Sequence, residues 1–327
     1  MVDQLDRTPT AFGDLRGWID ALRAEGELLE VNSEVDWDVE LGTIVRMGQG
    51  TGHGPAFLFN NIKDYNRPDS IAGQVFTGGQ GSYSRLAMMF GLPRDTPVRD
   101  LVRICRYIFA ERIAPVTVPT GPVKQNILKG DDIDLLKFPV PKWNSGDGGR
   151  YINTYAGCVT RDPDSEVHNI GIYRGMVLDK NNIGVLLWRA QGWGAHYTKH
   201  MERGDAMPVA FVIGWEPSFG FTGGAPMPRA ISEYDVMGSI RGAPVELVDC
   251  ETVPLKVPAS AEIVIEGWVS TDPKTFREEG PYAEFTGYYA PDRSRKHVAE
   301  ITCITHRDRP ILRGTIEGAI PGSYGEN

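Results

Sequence analysis

The chain has 327 residues, 41% hydrophobic and 24% charged, the balance of a globular protein longer than one typical core. Its net charge of -9 offers no electrostatic attraction to nucleic acid or to an anionic membrane surface, so neither is expected as a partner. No apolar run reaches the roughly 18 residues that span a bilayer, and no export signal is visible. Cys105, Cys158, Cys250 and Cys303 form no CxxC pair, so a cytoplasmic protein with reduced, buried thiols is expected.

The predicted elements begin with "GDLRGWIDALRAEG", where Leu15, Trp18, Ile19 and Leu22 fall at i, i+3, i+4 and i+7 of an amphipathic helix stopped by Gly26. "ELLEVNSEVD" and "PAFLFNNI" read as strands, and "VELGTIVRM", "SYSRLAMMFGL" and "PVRDLVRICRYIFAERI" as helices, so residues 1–114 form a small α/β domain. Residues 115–150 are rich in proline and glycine, which predicts an irregular connector laid over a surface. The remainder, 151–327, is strand-rich: "YINTYAGCVT", "VHNIGIYRGMVLD", "IGVLLWRA", "PVAFVIGW", "APVELVDCE", "AEIVIEGWVS" and "HVAEITCITHRD" show alternation or β-branched enrichment. Only "HYTKHMERG" and "RAISEYDVMGSIRG" read as helices among them. The fold class is α/β (α+β), with a β-rich barrel or sandwich as the second domain.

Four features could carry chemistry. In "VHNIGIYRGM" a strand would put Asn169, Gly171 and Tyr173 on one face and His168, Ile170, Ile172 and Arg174 on the other. An arginine ending so apolar a strand either finds an anionic partner or snorkels to water. "GWGAHYTKH" sets His196 and His200 on one helix face, a spacing that suits two ligands of one metal or two packing residues, without the glutamate of HExxH. "GFTGGAPMPRAISEYD" reads as a Gly-rich loop ahead of a helix, an anion cradle that lacks a Walker lysine, with Glu233 available as a hard oxygen ligand. Finally, "REEGPYAEFTGYY" holds Glu279 and Glu284 beside a Gly-Pro turn, either as a solvated loop or as paired catalytic carboxylates.

Over its whole length the chain resembles the UbiD-like family of reversible decarboxylases that use prenylated FMN. The resemblance lies in "LRGWIDALRAEGELLEV", "VPTGPVKQN", "FPVPKWNSGDGGRYINTY", "RGMVLDKN", "PRAISEYDVMG", "PVELVDCETVPLKVPASAEIVIEG" and "EGPYAEFTGYY". It implies that 151–327 is a split-β-barrel cofactor domain and that Arg174, Glu279 and Glu284 are the catalytic set. It further implies that Asn169, His196 (with His200 as the alternative) and Glu233 hold Mn²⁺ or Mg²⁺ at the cofactor phosphate, with K⁺ nearby. Thr154, Ile172, Tyr173, Arg174, Gln191, Gly223, Gly224, Ala225 and Pro226 fall on cofactor-contacting positions.

The implied reaction is reversible, non-oxidative decarboxylation of an aromatic or α,β-unsaturated acid. Glu284 would protonate the product carbon, Arg174 would orient it and Glu279 would position Arg174. Tyr282, Phe285 and Tyr288 would line an apolar pocket that favours the protonated acid. A flavin prenyltransferase would supply the cofactor, and the full-length form would be a homo-oligomer. Family members run longer than this chain, which stops in "TIEGAIPGSYGEN"; a C-terminal domain supplying a phosphate-binding lysine, the far pocket wall and the oligomer interface is expected beyond it. Two other readings are a flavin oxidoreductase on a split barrel, which leaves the Glu-Arg-Glu set without a task, and a subunit that assembles with a partner carrying the missing part.

Overall fold

The computed structural model describes residues 7–49, 54–165, 167–290 and 293–317. Helix α1 (Leu15–Ala24) forms where the periodicity predicts it: Asp14 caps it by accepting the Gly17 N–H at 2.8 Å, and Leu15, Trp18, Ile19 and Leu22 are all buried. Strand β1 (Leu28–Val31), helix α2 (Glu40–Gln49), strands β2 (Ala56–Phe59) and β3 (Gln74–Thr77), and helices α3 (Tyr83–Met89) and α4 (Val98–Ile108) follow. β1 and β2 run parallel, and β2 and β3 antiparallel.

The second part contributes β4 (Val116–Thr117), β5 (Asn126–Lys129), β6 (Gly157–Arg161), β7 (His168–Ile172), β8 (Gly175–Asp179) and β9 (Asn182–Val185), then α5 (Gly192–Arg203), β10 (Met207–Ile213), α6 (Pro217–Gly224) and α7 (Glu233–Arg241). It ends with β11 (Glu246–Asp249), β12 (Lys256–Pro258), β13 (Ile263–Val269), β14 (Arg277–Glu279), β15 (Ser294–His306) and β16 (Ile311–Arg313). Nine of these strands make one antiparallel sheet in the order β7-β6-β10-β13-β15-β9-β8, with β14 and β5 also paired to the long β15. β16 leaves this sheet and pairs with β3, completing the N-terminal sheet as β1-β2-β3-β16.

The two terminal strands of this seven-strand path, β7 and β8, form no ladder with each other, so the sheet is open among the described residues. Yet only Tyr173 and Arg174 separate them in sequence, a span of at most about 11 Å from Ile172 to Gly175. The sheet therefore curls until its ends nearly meet, and Arg174 sits at the seam. The mixed α/β class is as expected. No helix among the described residues is long and apolar enough to cross a membrane.

Three local expectations change. The stretch 115–150 is not an irregular surface linker: β4 pairs with β11, β5 pairs with β15, and Val123, Leu135, Phe138, Val140 and Trp143 are buried. Its prolines fall between the paired residues, where no ladder N–H is needed. "YINTYAGCVT" becomes a strand only from Gly157, with Tyr151 making an isolated bridge to Met176. The glycines of the Gly-rich stretch lie in helix, because Pro217 opens α6 and the helix continues through Gly224, and only residues 225–232 form the loop ahead of α7.

Candidate active site

Arg174 lies between two carboxylates. Its Nη2 donates to Glu279 Oε2 at 2.7 Å and its Nη1 donates to Glu284 Oε1. Glu279, the last residue of β14, is fully buried, whereas the Glu284 side chain is 31% exposed. Burial opposes the charge on Arg174, but the hydrogen bond and charge of Glu279, with Tyr151 and Glu284, outweigh it and hold the guanidinium pKa above its ordinary value. The Arg174 guanidinium also lies 5.3 Å from the centre of the buried Tyr282 ring.

The acids stand where they do because residues 144–151 clamp the turn between them. Asp147 accepts the Ala283 N–H at 3.0 Å and the Asn144 N–H at 2.9 Å, and the Gly148 N–H donates to Pro281 O at 2.7 Å. A Cβ on Gly148 would lie 1.9 Å from Gly280 O, so only glycine permits this approach. The Tyr151 hydroxyl donates to Glu279 Oε1 at 2.8 Å. Asp147 and Tyr151 are the residues of this network that the sequence did not point to; the one available signal was the "NSGDGGRY" run, in which three glycines and an acid precede a tyrosine.

Arg174 and Glu284 open onto a cleft of about 380 Å³, together with Thr154, Ile172, Tyr173, Gln191 and Gly224. Of the expected cofactor-contacting residues, Gly223, Ala225 and Pro226 are not among its lining. Gly223 and Gly224 lie in the last turn of α6, whose N–H groups are committed to the helix, so these glycines form no loop cradle for an anion. Phe285 lines the cleft but is 63% exposed, and Tyr288 is 78% exposed; of the three expected aromatics only Tyr282 is buried, and the apolar enclosure of the acid is partial. A larger cavity, about 810 Å³, lies beside α1 and holds none of the expected site residues. Size does not decide between them; the convergent ion network does.

Asn169 lies in β7, and Glu233 and His196 each pack near it. A Cβ on Gly192 would fall 1.7 Å from Asn169 Oδ1, so the Asn169 amide rests against the first turn of α5, one helical turn from His196. Thr160, the cross-strand partner of Asn169, bonds His196 Nδ1 at 2.9 Å. Glu233, at the start of α7, accepts the N–H of Ile170, the neighbour of Asn169, at 2.8 Å. Burial lowers the His196 pKa to about 4 and raises that of Glu233 to about 7. His200 is buried with its Nδ1 unpartnered.

Among the described residues, no three His, Cys, Asp or Glu side chains gather as a metal-holding group. A neutral imidazole, an amide oxygen and a carboxylate with no ion pair among the described residues are a suitable donor set for a divalent cation. The buried Asn169 Nδ2, Arg174 Nε and both amide atoms of Asn153 also lack partners within the described chain, as befits walls built around a polar ligand.

Comparison with known proteins defines the class of scaffold. Residues 115–320 match the 3-octaprenyl-4-hydroxybenzoate carboxy-lyase Rift-related domain, and residues 19–105 match the N-terminal domain of the same carboxy-lyase. The chain belongs to the UbiD family. It is 35% identical over 317 residues to the pyrrole-2-carboxylic acid decarboxylase of Pseudomonas aeruginosa, covering 94% of this chain and 62% of that protein. It is likewise 35% identical to the phenolic acid decarboxylase of Bacillus subtilis, covering 92% of this chain and 63% of that protein. An evolved dimeric form of the UbiD-class enzyme HmfF from Pelotomaculum thermopropionicum, solved with prFMN, superimposes with a TM-score of 0.84 at 31% identity, covering 94% of this chain and 68% of that one. The chain thus spans less than two thirds of the length of the two curated relatives.

Proposed function

We propose that this chain carries the cofactor and proton-transfer site of a reversible, non-oxidative decarboxylase acting on an aromatic or α,β-unsaturated carboxylic acid. The observation that carries the reading is Arg174 joining Glu279 and Glu284 at the mouth of the 380 Å³ cleft. Prenylated FMN, when bound, supplies an electron sink for the carbon that loses CO₂, which no ordinary side chain provides.

The chain's own residues do the rest. Glu284 is the acid at the cleft that gives its proton to the product carbon and regains one in the reverse direction. Arg174 fixes one of its carboxyl oxygens, and the buried Glu279 anchors Arg174 from behind. Thr154, Ile172, Tyr173 and Gln191 line the cleft and would contact the flavin. Asn169, His196 and Glu233 would hold Mn²⁺ (or Mg²⁺), with K⁺ nearby, at the cofactor phosphate. His196 is preferred to His200 because Thr160 orients its ring through Nδ1, leaving Nε2 for a metal. We also assign residues 1–114 to the α/β domain, 115–150 to a connector packed onto the next domain through β4 and β5, and 151–327 to the cofactor domain, with a flavin prenyltransferase as supplier, a homo-oligomeric full-length form and a cytoplasmic location.

Loading the protein with prenylated FMN, Mn²⁺ and K⁺ and offering a panel of aromatic and unsaturated acids tests the reading. Decarboxylation with deuterium entering the product carbon from D₂O is the expected result. Hydride chemistry with plain FMN, and no exchange, would contradict it.

A further inference from the structure

Glu279 is fully buried, and a buried carboxylate needs every lone pair it can place in a hydrogen bond. Among the described residues, two side chains meet it: Arg174 through Oε2 at 2.7 Å and Tyr151 through Oε1 at 2.8 Å. The Tyr151 hydroxyl also lies 3.2 Å from Pro281 O, but it has one proton, and the shorter contact to a charged acceptor is the stronger. Tyr151 is itself immobilised. It is fully buried, Trp143 Nε1 donates to its carbonyl at 3.1 Å, its backbone bridges Met176, and its ring rests 4.3 Å from that of Tyr282.

We propose that Tyr151 is a positioning residue for the reaction, holding Glu279 so that Arg174 presents Glu284 at one fixed place in the cleft. This inference rests on the proton-transfer role proposed above for Glu284. The four side chains form one hydrogen-bonded line, Tyr151–Glu279–Arg174–Glu284, running from the packed interior to the cleft. Burial, then the charge and hydrogen bond of Glu279, push the Tyr151 pKa well up, so the hydroxyl stays a donor. Among the described residues Arg174 Nε is buried without a hydrogen-bond partner, so two Nη hydrogen bonds and the face of Tyr282 hold the guanidinium. Without the Tyr151 hydroxyl, Glu279 and Arg174 can swing as a pair, and Glu284 loses its fixed address.

The test is Tyr151→Phe, which keeps the ring and removes one oxygen. With the loaded enzyme, kcat falls about 10- to 100-fold, the worth of a hydrogen bond to a charged group, while KM and flavin binding change less than about twofold. In a Glu279→Gln background the same substitution costs nothing further. An unchanged kcat, or a loss that adds in full to that of Glu279→Gln, overturns the inference, because a merely structural tyrosine would act independently. A second arm needs no activity. In the unloaded protein labelled with [¹⁵N]arginine, Arg174 Nη–H signals, assigned by Arg174→Lys, are slow to rotate in the parent and average in Tyr151→Phe. If they do not change, Tyr151 does not hold the network. Failure of the parent to decarboxylate any acid would sink the proposed function alone, and the arginine signals would still decide the role of Tyr151.

Discussion

Arg174 holds Glu279 and Glu284 at once, 105 and 110 residues further along the chain, one carboxylate sealed in the core and the other facing the cleft. It can do so because it stands at the seam where the nine-stranded sheet curls back on itself, between β7 and β8. Removing the guanidinium strands a carboxylate that has no route to water. Arg174→Ala should therefore destabilise the fold by about 3–5 kcal/mol, and Glu279→Gln in the same chain should restore part of it. Denaturant unfolding of the parent and the two variants measures this; a loss within 0.5 kcal/mol, about that of an ordinary surface change, would mean the pair is solvated after all.

The turn bearing the two acids depends on glycine at 148. Gly148→Ala forces a methyl onto Gly280 O, which is backbone and cannot step aside. A loss of about 1–3 kcal/mol is expected, as for overpacking elsewhere. Flavin binding should persist while proton exchange at the product carbon falls. Parent-like exchange in a destabilised Gly148→Ala protein would separate the turn from the chemistry.

Thr160 is fully buried and is not among the residues that line the cleft, yet it bonds the His196 ring. Thr160→Val keeps the volume and removes the oxygen, and should weaken Mn²⁺ binding about 10- to 100-fold, read by the EPR signal of free Mn²⁺. His200→Phe should leave that signal unchanged. If the two results are reversed, His200 is the ligand.

His297 lies against Phe276 at 4.3 Å and Tyr197 at 4.8 Å, and burial lowers its pKa to about 4. The folded state thus disfavours the proton that the unfolded chain takes up near the ordinary value of 6.5. The stability His297 contributes is full above pH 6.5 and is lost as pH falls toward 4. His297→Phe should reduce proton uptake on unfolding at pH 5 by roughly one, seen as a flatter dependence of Tm on pH in calorimetry. An unaltered slope would show that the imidazole is already solvated.

Periodicity made α1 legible, since its buried face is the i, i+3, i+4, i+7 set, and the helix holding His196 was visible from its C-terminal half. β14 and β16 were not legible. Three residues show no period, and "REE" is a strand only because β15 lies beside it. The connector misled because its prolines were read as breaking the whole stretch, when each merely separates short paired pieces. The Glu-Arg-Glu set could be assigned only through family resemblance, for the spacing of Glu279 and Glu284 matches no element. Tyr151 stayed hidden because a tyrosine opening a strand-like stretch looks like core, and its partner lies 128 residues away.

The central claim is that Glu284 gives the proton that replaces CO₂. Hydrogen–deuterium exchange at the product carbon, followed by NMR with the flavin-loaded Glu284→Gln protein beside the parent, tests it most directly. Exchange should vanish while the flavin spectrum and its affinity are kept. Exchange at the parental rate would remove Glu284 from the role and leave the Arg174 network a structural device.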